Sequence, residues 1–376
     1  MENGSDAVKI LQFGTGRFLR GFFDPIVPQE KSITVVQSRP NSNGARLINS
    51  HPQGYHVWTR GIQSGQVIDT HQFVRSIDRA LDANTEWDQL LTVALNPELN
   101  LIISNTTAAG LELHPQDRTD RLAEVCPKSF PAKIACLLWK RFKAGLPGIT
   151  LLPLELVDQN GTQLKELVAE QALIWSETRE PRFQEYLETD HRWLNNLVDR
   201  IVVNPSEPPP WDQEDPLAVV GEPFRMLAIE DDKRDRSVIP PNPMVIWTDD
   251  LAPFFLRKVR ILNGLHTAMV AKFYPTGIET VLQCVQQSES RQWLDELLHQ
   301  EILPALAHQG LDETAFANEV MERFENPFFE HRLADIANGH ETKLQVRIQP
   351  TAEDYRKAFQ KEPVKLNEVL QQRLPV

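Results

Sequence analysis

Cysteine is scarce in this sequence: three residues in 376, Cys126, Cys136 and Cys284, far apart and without a CxxC pair. That spacing speaks against both a disulfide scaffold and a structural zinc site. Positive charge is short as well, with 39 Lys and Arg against 52 Asp and Glu, a net charge of −13. Such a balance disfavours non-specific binding to nucleic acid or to an anionic membrane. No apolar run approaches the roughly 18 residues of a membrane span. The opening residues MENGSDAVKI lack the basic and then apolar layout of a signal peptide, and no repeat of about 20–50 residues is visible. These absences predict a soluble, cytoplasmic protein with a small-molecule ligand, no nucleic-acid or membrane partner, and a monomeric or small homo-oligomeric state.

What is present is an ordinary globular balance, 24% charged and 41% hydrophobic, on a chain long enough for two domains. Val8–Phe13 reads as a short buried strand running into Gly14-Thr15-Gly16-Arg17-Phe18-Leu19-Arg20. Strand, glycine turn and helix is the context in which a dinucleotide fingerprint is meaningful: Gly14 permits the tight turn and Gly16 lets a pyrophosphate approach the backbone. The usual third glycine is missing, with Leu19 in its place. A second strand, Ile33–Ser38, ends at Arg39, where an acidic residue for the ribose would be usual. Arg39 is equally suited to stacking on adenine, to a 2′-phosphate, or to plain solvent, so the residues leave NAD and NADP both open.

Further along, Tyr55–Arg60 and Gln66–Val74 suggest a hairpin, and Thr85–Leu95 a helix with Thr85 as its cap. Leu101–Ile103 is a strand opening into the polar loop Ser104–Gly110, which makes Asn105 and Thr106 candidates for ligand contact at a strand's C-terminal end. Phe130–Ala144 reads as a helix whose Lys133, Lys140, Arg141 and Lys143 form a solvated face. Ile149–Leu156 is a strand and Thr162–Ser176 a helix; Asn204–Pro216 is a proline-rich connector. Glu222–Glu230 is expected to be the last strand of the first domain. Short apolar strands alternating with helices predict an α/β fold: a doubly wound, Rossmann-like N-terminal domain over residues 1–249, followed by a mainly α-helical domain over 250–376.

The helical region opens with Arg257-Lys258-Val259-Arg260-Ile261-Leu262-Asn263-Gly264-Leu265-His266. At about 100° per residue, Lys258, Asn263 and His266 fall at roughly 0°, 140° and 80°, within one broad face. A polar trio in an apolar face is costly unless each member has a partner. The plain alternative is a snorkelling lysine, a backbone-bonded asparagine and a core histidine.

The spacing Lys, four residues, Asn, two residues, His resembles the catalytic signature of the long-chain, polyol-specific dehydrogenases, the mannitol dehydrogenase family. FGTGRFLRGF is similar to that family's GxGxFxR opening, which implies cofactor roles for Gly14, Gly16, Arg17 and Phe18. RKVRILNGLHT, SNTTAAG, LPLELVDQNG and KLQVRIQP are similar to its uronate-reducing branch. Ala108 stands where that branch has glutamate, Leu154 where it has cysteine, and Glu155-Leu156 where mannitol enzymes have Asp-Asn. The resemblance implies NAD as cofactor and reduction of a keto-uronate, tagaturonate to altronate, by Lys258, Asn263 and His266. It also places Asp199, of the VDRI segment, near the active site; a surface ion pair with Arg200 is the other reading. Family members usually run longer at the C-terminal end, so the second domain is expected to be shortened.

The chemistry suits these residues. Reducing a ketone builds charge on the carbonyl oxygen, which must be stabilised and protonated. No zinc ligand set is visible, and none of the four tyrosines has a lysine four residues on. Lys258 is then the proton donor, Asn263 an oxyanion donor and His266 an orienting group, with no metal required. A uronate also needs a cation for its carboxylate. Arg260, Arg323, Arg332, Lys343 and Arg347 all qualify, and Asp199, Arg260 and Lys343 are the substrate-binding candidates. A mannitol-type polyol dehydrogenase and a catalytically silent nucleotide-binding protein are the rival expectations.

Overall fold

A computed structural model of the chain describes residues 9–30, 32–106, 110–120, 125–212 and 214–372. Its strands, in chain order, are β1 (Lys9–Phe13), β2 (Ile33–Gln37), β3 (Tyr55–Gln63), β4 (Gln66–Val74), β5 (Ile77–Asp82), β6 (Leu99–Ser104), β7 (Thr150–Pro153), β8 (Arg192–Trp193), β9 (Asn196–Asp199), β10 (Val202–Val203), β11 (Val219–Gly221), β12 (Met226–Glu230) and β13 (Val245–Thr248). The chain divides into two compact units. The first holds residues up to Thr59, Thr70–Gly221 and Arg225–Asp249; the second holds Arg60–Asp69, Glu222–Phe224 and the residues from Asp250 onward.

The first unit is built on a six-stranded sheet in the order β5-β2-β1-β6-β7-β8, and every pairing in it is parallel. Its strands are apolar on both faces because the two-residue repeat sends neighbours into two different cores. Leu11, Phe13, Ile102 and Leu151 pack with helices Trp87–Ala94, Phe130–Lys143 and Asn160–Ile174. Ile10, Leu101, Ile103 and Leu152 pack on the other side with Leu19, Phe22 and Phe23. The chain leaves β1 to one side for β2 and later crosses to the other for β6. This is the doubly wound arrangement, and its strand order reverses between β1 and β6, where such sheets open a crevice for a ligand.

Two smaller sheets belong to the same description. One has the order β10-β11-β3-β4 and the other β13-β12-β9. Glu222–Glu230 is therefore not a single strand: β11 ends at Gly221 and β12 starts at Met226. Thr85 does not cap its helix either; Glu86 takes the cap position, and its carboxylate accepts from Asp82 N–H at 2.8 Å. The expected solvated face of helix Phe130–Lys143 is half right. Lys140 and Lys143 are exposed, whereas Lys133 and Arg141 are buried. The helix is covered by three neighbouring helices, Trp87–Ala94, Asn160–Ile174 and Pro181–Thr189. The buried cations survive because carbonyls receive them: Lys133 Nζ donates to Lys128 O (2.8 Å), and Arg141 donates to Ala94 O (2.6 Å), Asn96 O and Pro147 O (both 3.1 Å).

The second unit is mainly helical. Its core gathers Ile261 of the turn Lys258–Leu262 and Leu265 and Met269 of helix Asn263–Phe273 with Leu294, Leu298, Val320, Phe324, Leu344 and Ile348 from other helices. Thr280 and Gln283 form a reciprocal capping box at helix Val281–Gln286. Buried Glu301 accepts from the N–H groups of Lys365 (2.9 Å) and Leu366 (2.8 Å), capping helix Val364–Gln371 with a negative charge. Three of its helices are interrupted by π turns, at Lys258–Leu262, Leu298–Ile302 and Leu344–Ile348. No helix among the described residues is long and apolar enough to cross a membrane.

Candidate functional site

In the first unit a cleft of about 520 Å³ opens at the C-terminal ends of β1, β2 and β6. All seven residues expected to contact a cofactor, Gly14, Gly16, Arg17, Phe18, Arg39, Asn105 and Thr106, line it. Gly14 has φ of +131°, which strains any residue with a side chain, and a Cβ there would be crowded 3.1 Å from Asn105 O. Gly16 has ordinary backbone geometry, and a Cβ there would meet no protein atom within 4 Å. Protein packing does not explain a glycine at 16; room for a ligand does.

The loop is held from behind. Arg20, buried, donates to Thr15 O (2.5 Å) and Leu217 O (3.1 Å), and Arg17 donates to Val202 O (3.1 Å). Phe18 stacks on Phe22 at 4.9 Å. On the β6 side the organiser is Glu155, which is buried and accepts from Ser104 Oγ (3.0 Å), Thr106 N (2.7 Å) and Thr106 Oγ1 (2.9 Å). Burial pushes its carboxyl pKa up, against the pull of these donors. Asn105 Nδ2 donates to Leu154 O (2.8 Å). Of the polar loop, residues 107–109 lie outside the described residues. At the end of β2, Gln37 replaces the acidic residue, and it is fully engaged: it donates to Asp82 (2.8 Å) and Ser42 O (3.0 Å) and accepts from Ala45 N–H (2.9 Å). Arg39 is exposed at the rim.

Asp199 and Arg200 are not a surface pair; both are buried. Asp199 ends β9 opposite Met226. Arg200 donates to Gly21 O and to Thr59 Oγ1 (3.2 Å), and a Cβ at Gly221 would come within 2.6 Å of its guanidinium.

In the second unit, Lys258, Asn263 and His266 share one continuous helix, but not at 100° per residue. The π turn Lys258–Leu262 inserts one extra residue, and Asn263 N–H donates to Lys258 O, an i→i+5 bond. A spacing of five in a π turn does what four does in an α-helix, bringing the residue over its hydrogen-bond partner. Asn263 therefore lies closer to Lys258 in rotation than regular helix geometry predicts. Lys258 and Asn263 are half-buried and His266 is buried. The His266 ring meets Phe324 at 4.7 Å and His331 edge-on at 4.6 Å, and its Nε2 has no hydrogen-bond partner. Burial, then the nearby His331, Arg323, Arg347 and Lys343, keeps its pKa well below the usual histidine range. His266 is a neutral imidazole with one polar atom left over. A buried polar atom without a partner costs about 1–3 kcal/mol, so a ligand group that meets it gains accordingly.

Arg260 points its chemistry elsewhere: it donates to Thr351 Oγ1 (2.7 Å) and pairs with Asp354 (3.4 Å). Lys343 donates to Ile336 O at 2.7 Å. Among the described residues no group of three or more His, Cys, Asp or Glu could hold a metal ion.

With this geometry in place, comparison with known proteins gives a consistent result. Residues 8–239 match the mannitol dehydrogenase Rossmann domain and residues 250–362 the mannitol dehydrogenase C-terminal domain. The chain belongs to the mannitol dehydrogenase family. It is accordingly an oxidoreductase, a dehydrogenase acting on CH–OH groups. It is 36% identical over 367 residues to an altronate oxidoreductase of Halalkalibacterium halodurans, covering 92% of this chain and 70% of that protein. An altronate oxidoreductase of Bacillus subtilis is 34% identical over 369 residues, with 92% and 75% covered. In fold, the chain is similar to a substrate-free D-sorbitol dehydrogenase (TM-score 0.76, 20% identity, 94% of this chain and 77% of that one). It is also similar to the mannitol 2-dehydrogenase of Pseudomonas fluorescens in a ternary complex with NAD and D-mannitol (TM-score 0.73, 19% identity, 98% and 79%).

Two features of this mannitol dehydrogenase family member escaped the sequence. Glu155 was visible as a departure from Asp-Asn, yet its task of holding Ser104 and Thr106 depends on a contact across 49 to 51 residues. The basic surroundings of His266 come from four separate positions, and no local pattern signals their convergence.

Proposed function

We propose that this protein is a metal-independent, NAD(H)-linked reductase of a keto-uronate, interconverting tagaturonate and altronate, with Lys258 as general acid and base. The observation that carries the reading is the partnerless, buried Nε2 of neutral His266 on the helix that also bears Lys258 and Asn263. Its support in sequence is the set of relatives named altronate oxidoreductase, 32–36% identical over more than nine-tenths of this chain.

The cleft of the first unit fits a dinucleotide, because Gly14 gives the tight turn and Gly16 leaves open space. NAD, when bound there, supplies or accepts the hydride at the substrate's carbonyl carbon. The remaining work belongs to side chains. As the carbonyl carbon gains the hydride, charge grows on its oxygen; the Lys258 ammonium gives that oxygen a proton, and in the oxidative direction the Lys258 amine takes it back. The Asn263 amide donates to the same oxygen. His266 Nε2 bonds a substrate hydroxyl and sets the sugar's orientation. Asp199 and Lys343 are held as substrate-contacting groups, and Arg260, given its partner Asp354, is the weaker member of that set.

The test is NADH and NADPH oxidation by the purified protein with tagaturonate, fructuronate and fructose, in the presence of chelator. The expected result is turnover of tagaturonate with NADH preferred. Turnover of fructose alone would move the protein to the polyol-oxidising side of the family, and loss of activity to chelator would overturn metal independence.

A further inference from the structure

The basic residues of the helical unit that could receive a carboxylate are not equivalent. Arg323 is buried and fully answered by Glu222, in a fork with contacts of 2.9 and 2.8 Å. Arg260 has Asp354, and exposed Arg332 has Glu330 at 2.8 Å. Arg347, half-buried on the π turn Leu344–Ile348, differs. Among the described residues its guanidinium makes one hydrogen bond, from Nη1 to Thr267 Oγ1 at 3.3 Å, on the residue next to His266. Among the described residues no carboxylate lies within ion-pair distance of it.

That arrangement is electrostatically incomplete. Burial lowers the Arg347 pKa with no nearby acid to offset it. Its charge in turn adds to burial in lowering the pKa of Lys343, four residues back and also without an acidic partner among the described residues. Two cations one helical turn apart repel each other, and partial burial weakens the solvent screening that makes such repulsion harmless on a surface. An anion placed between them removes both costs. A planar guanidinium with free N–H groups is the side chain best shaped to receive a carboxylate in a fork. The fold keeps acids on Arg323, Arg260 and Arg332 and withholds one from Arg347.

We infer that Arg347, assisted by Lys343, is the site for the carboxylate of a sugar-acid substrate, and so the residue that separates uronates from uncharged ketoses. The inference rests on the keto-uronate reading above but can fail separately from it. The experiment compares the wild type with Arg347→Gln and Arg347→Lys. Two readouts are taken: kcat/KM for tagaturonate relative to fructose, and calorimetric titration of altronate into the NAD-loaded protein. In Arg347→Gln the tagaturonate-to-fructose ratio falls about 10–100-fold, and altronate binding weakens by the same factor. Arg347→Lys keeps the charge without the fork and lies between, which also separates lost recognition from lost folding. Equal altronate affinity in wild type and Arg347→Gln overturns the assignment, as does a wild type that binds no altronate. A wild type that binds altronate through Arg347 but turns over no keto-uronate leaves the carboxylate site standing and overturns the proposed reaction.

Discussion

The glycine-lined cleft of the sheet unit and the basic cluster around His266 in the helical unit are built on different principles. In the cleft most of the polar work is internal: Asn105, Thr106, Gln37 and Arg17 bond to protein, with Ser38 Oγ the buried exception. What it offers a ligand is chiefly shape, set by a glycine at positive φ and another with open space where a Cβ would stand. Around His266 the reverse holds. There a buried imidazole nitrogen is left without a hydrogen-bond partner, and a half-buried guanidinium has a threonine hydroxyl but no acid among the described residues. The difference teaches where to look for each kind of function. A site that holds a large common cofactor is legible in backbone geometry, whereas a site that performs chemistry on a small, variable substrate is legible in what is left unsatisfied.

This contrast breaks most sharply at Lys258. Lys258→Ala is expected to lower kcat by about 10²–10⁴-fold, the usual range for losing a positioned acid–base group. NADH affinity, measured by fluorescence titration, should stay within about twofold; a matching loss of NADH binding would erase the distinction between the two sites. The next largest effect is the mirror image. Gly16→Val puts a branched side chain where no protein atom stands. It should leave the melting temperature nearly unchanged, as surface substitutions do, while raising the Kd for NADH about tenfold or more. A variant that binds NADH normally would show that the space at Gly16 is not used.

The smallest expected effect on catalysis, though not on stability, comes from Asp24 in the sheet unit. Asp24 is fully buried, accepts from Tyr55 OH at 3.0 Å, and burial raises its pKa to about 6 from 3.8. The folded protein therefore holds this proton between pH 3.8 and about 6 while the unfolded chain releases it. Stability falls as pH rises through that window, by about 3 kcal/mol in total. Asp24→Asn cannot ionise, so thermal unfolding should show it gaining on the wild type at pH 8 and not at pH 4. An equal shift at both would mean the carboxyl is not the titrating group.

Much of this could be read without coordinates, for identifiable reasons. The glycine turn after β1, the alternation of strand and helix, and the order of the signature residues are local patterns, and local patterns survive in the sequence. Where reading failed, a distant contact was responsible. Lys133 and Arg141 fit an exposed amphipathic face until three helices close over them and the carbonyls of Lys128, Ala94, Asn96 and Pro147 accept their protons. The rotation of Asn263 about its helix departs from the 100° rule because a π turn is an irregularity that helix periodicity cannot announce.

By itself, then, the sequence determined the α/β class, seven of the eleven residues lining the cleft and the presence of Lys258, Asn263 and His266 on one helical stretch. Only the tertiary structure decided which basic residues are neutralised. Arg323 finds Glu222 across 101 positions, and Arg260 finds Asp354 across 94, whereas Arg347 finds no acid among the described residues. Charge compensation acts through space over a few ångströms, and the distance between two residues along the chain says nothing about it.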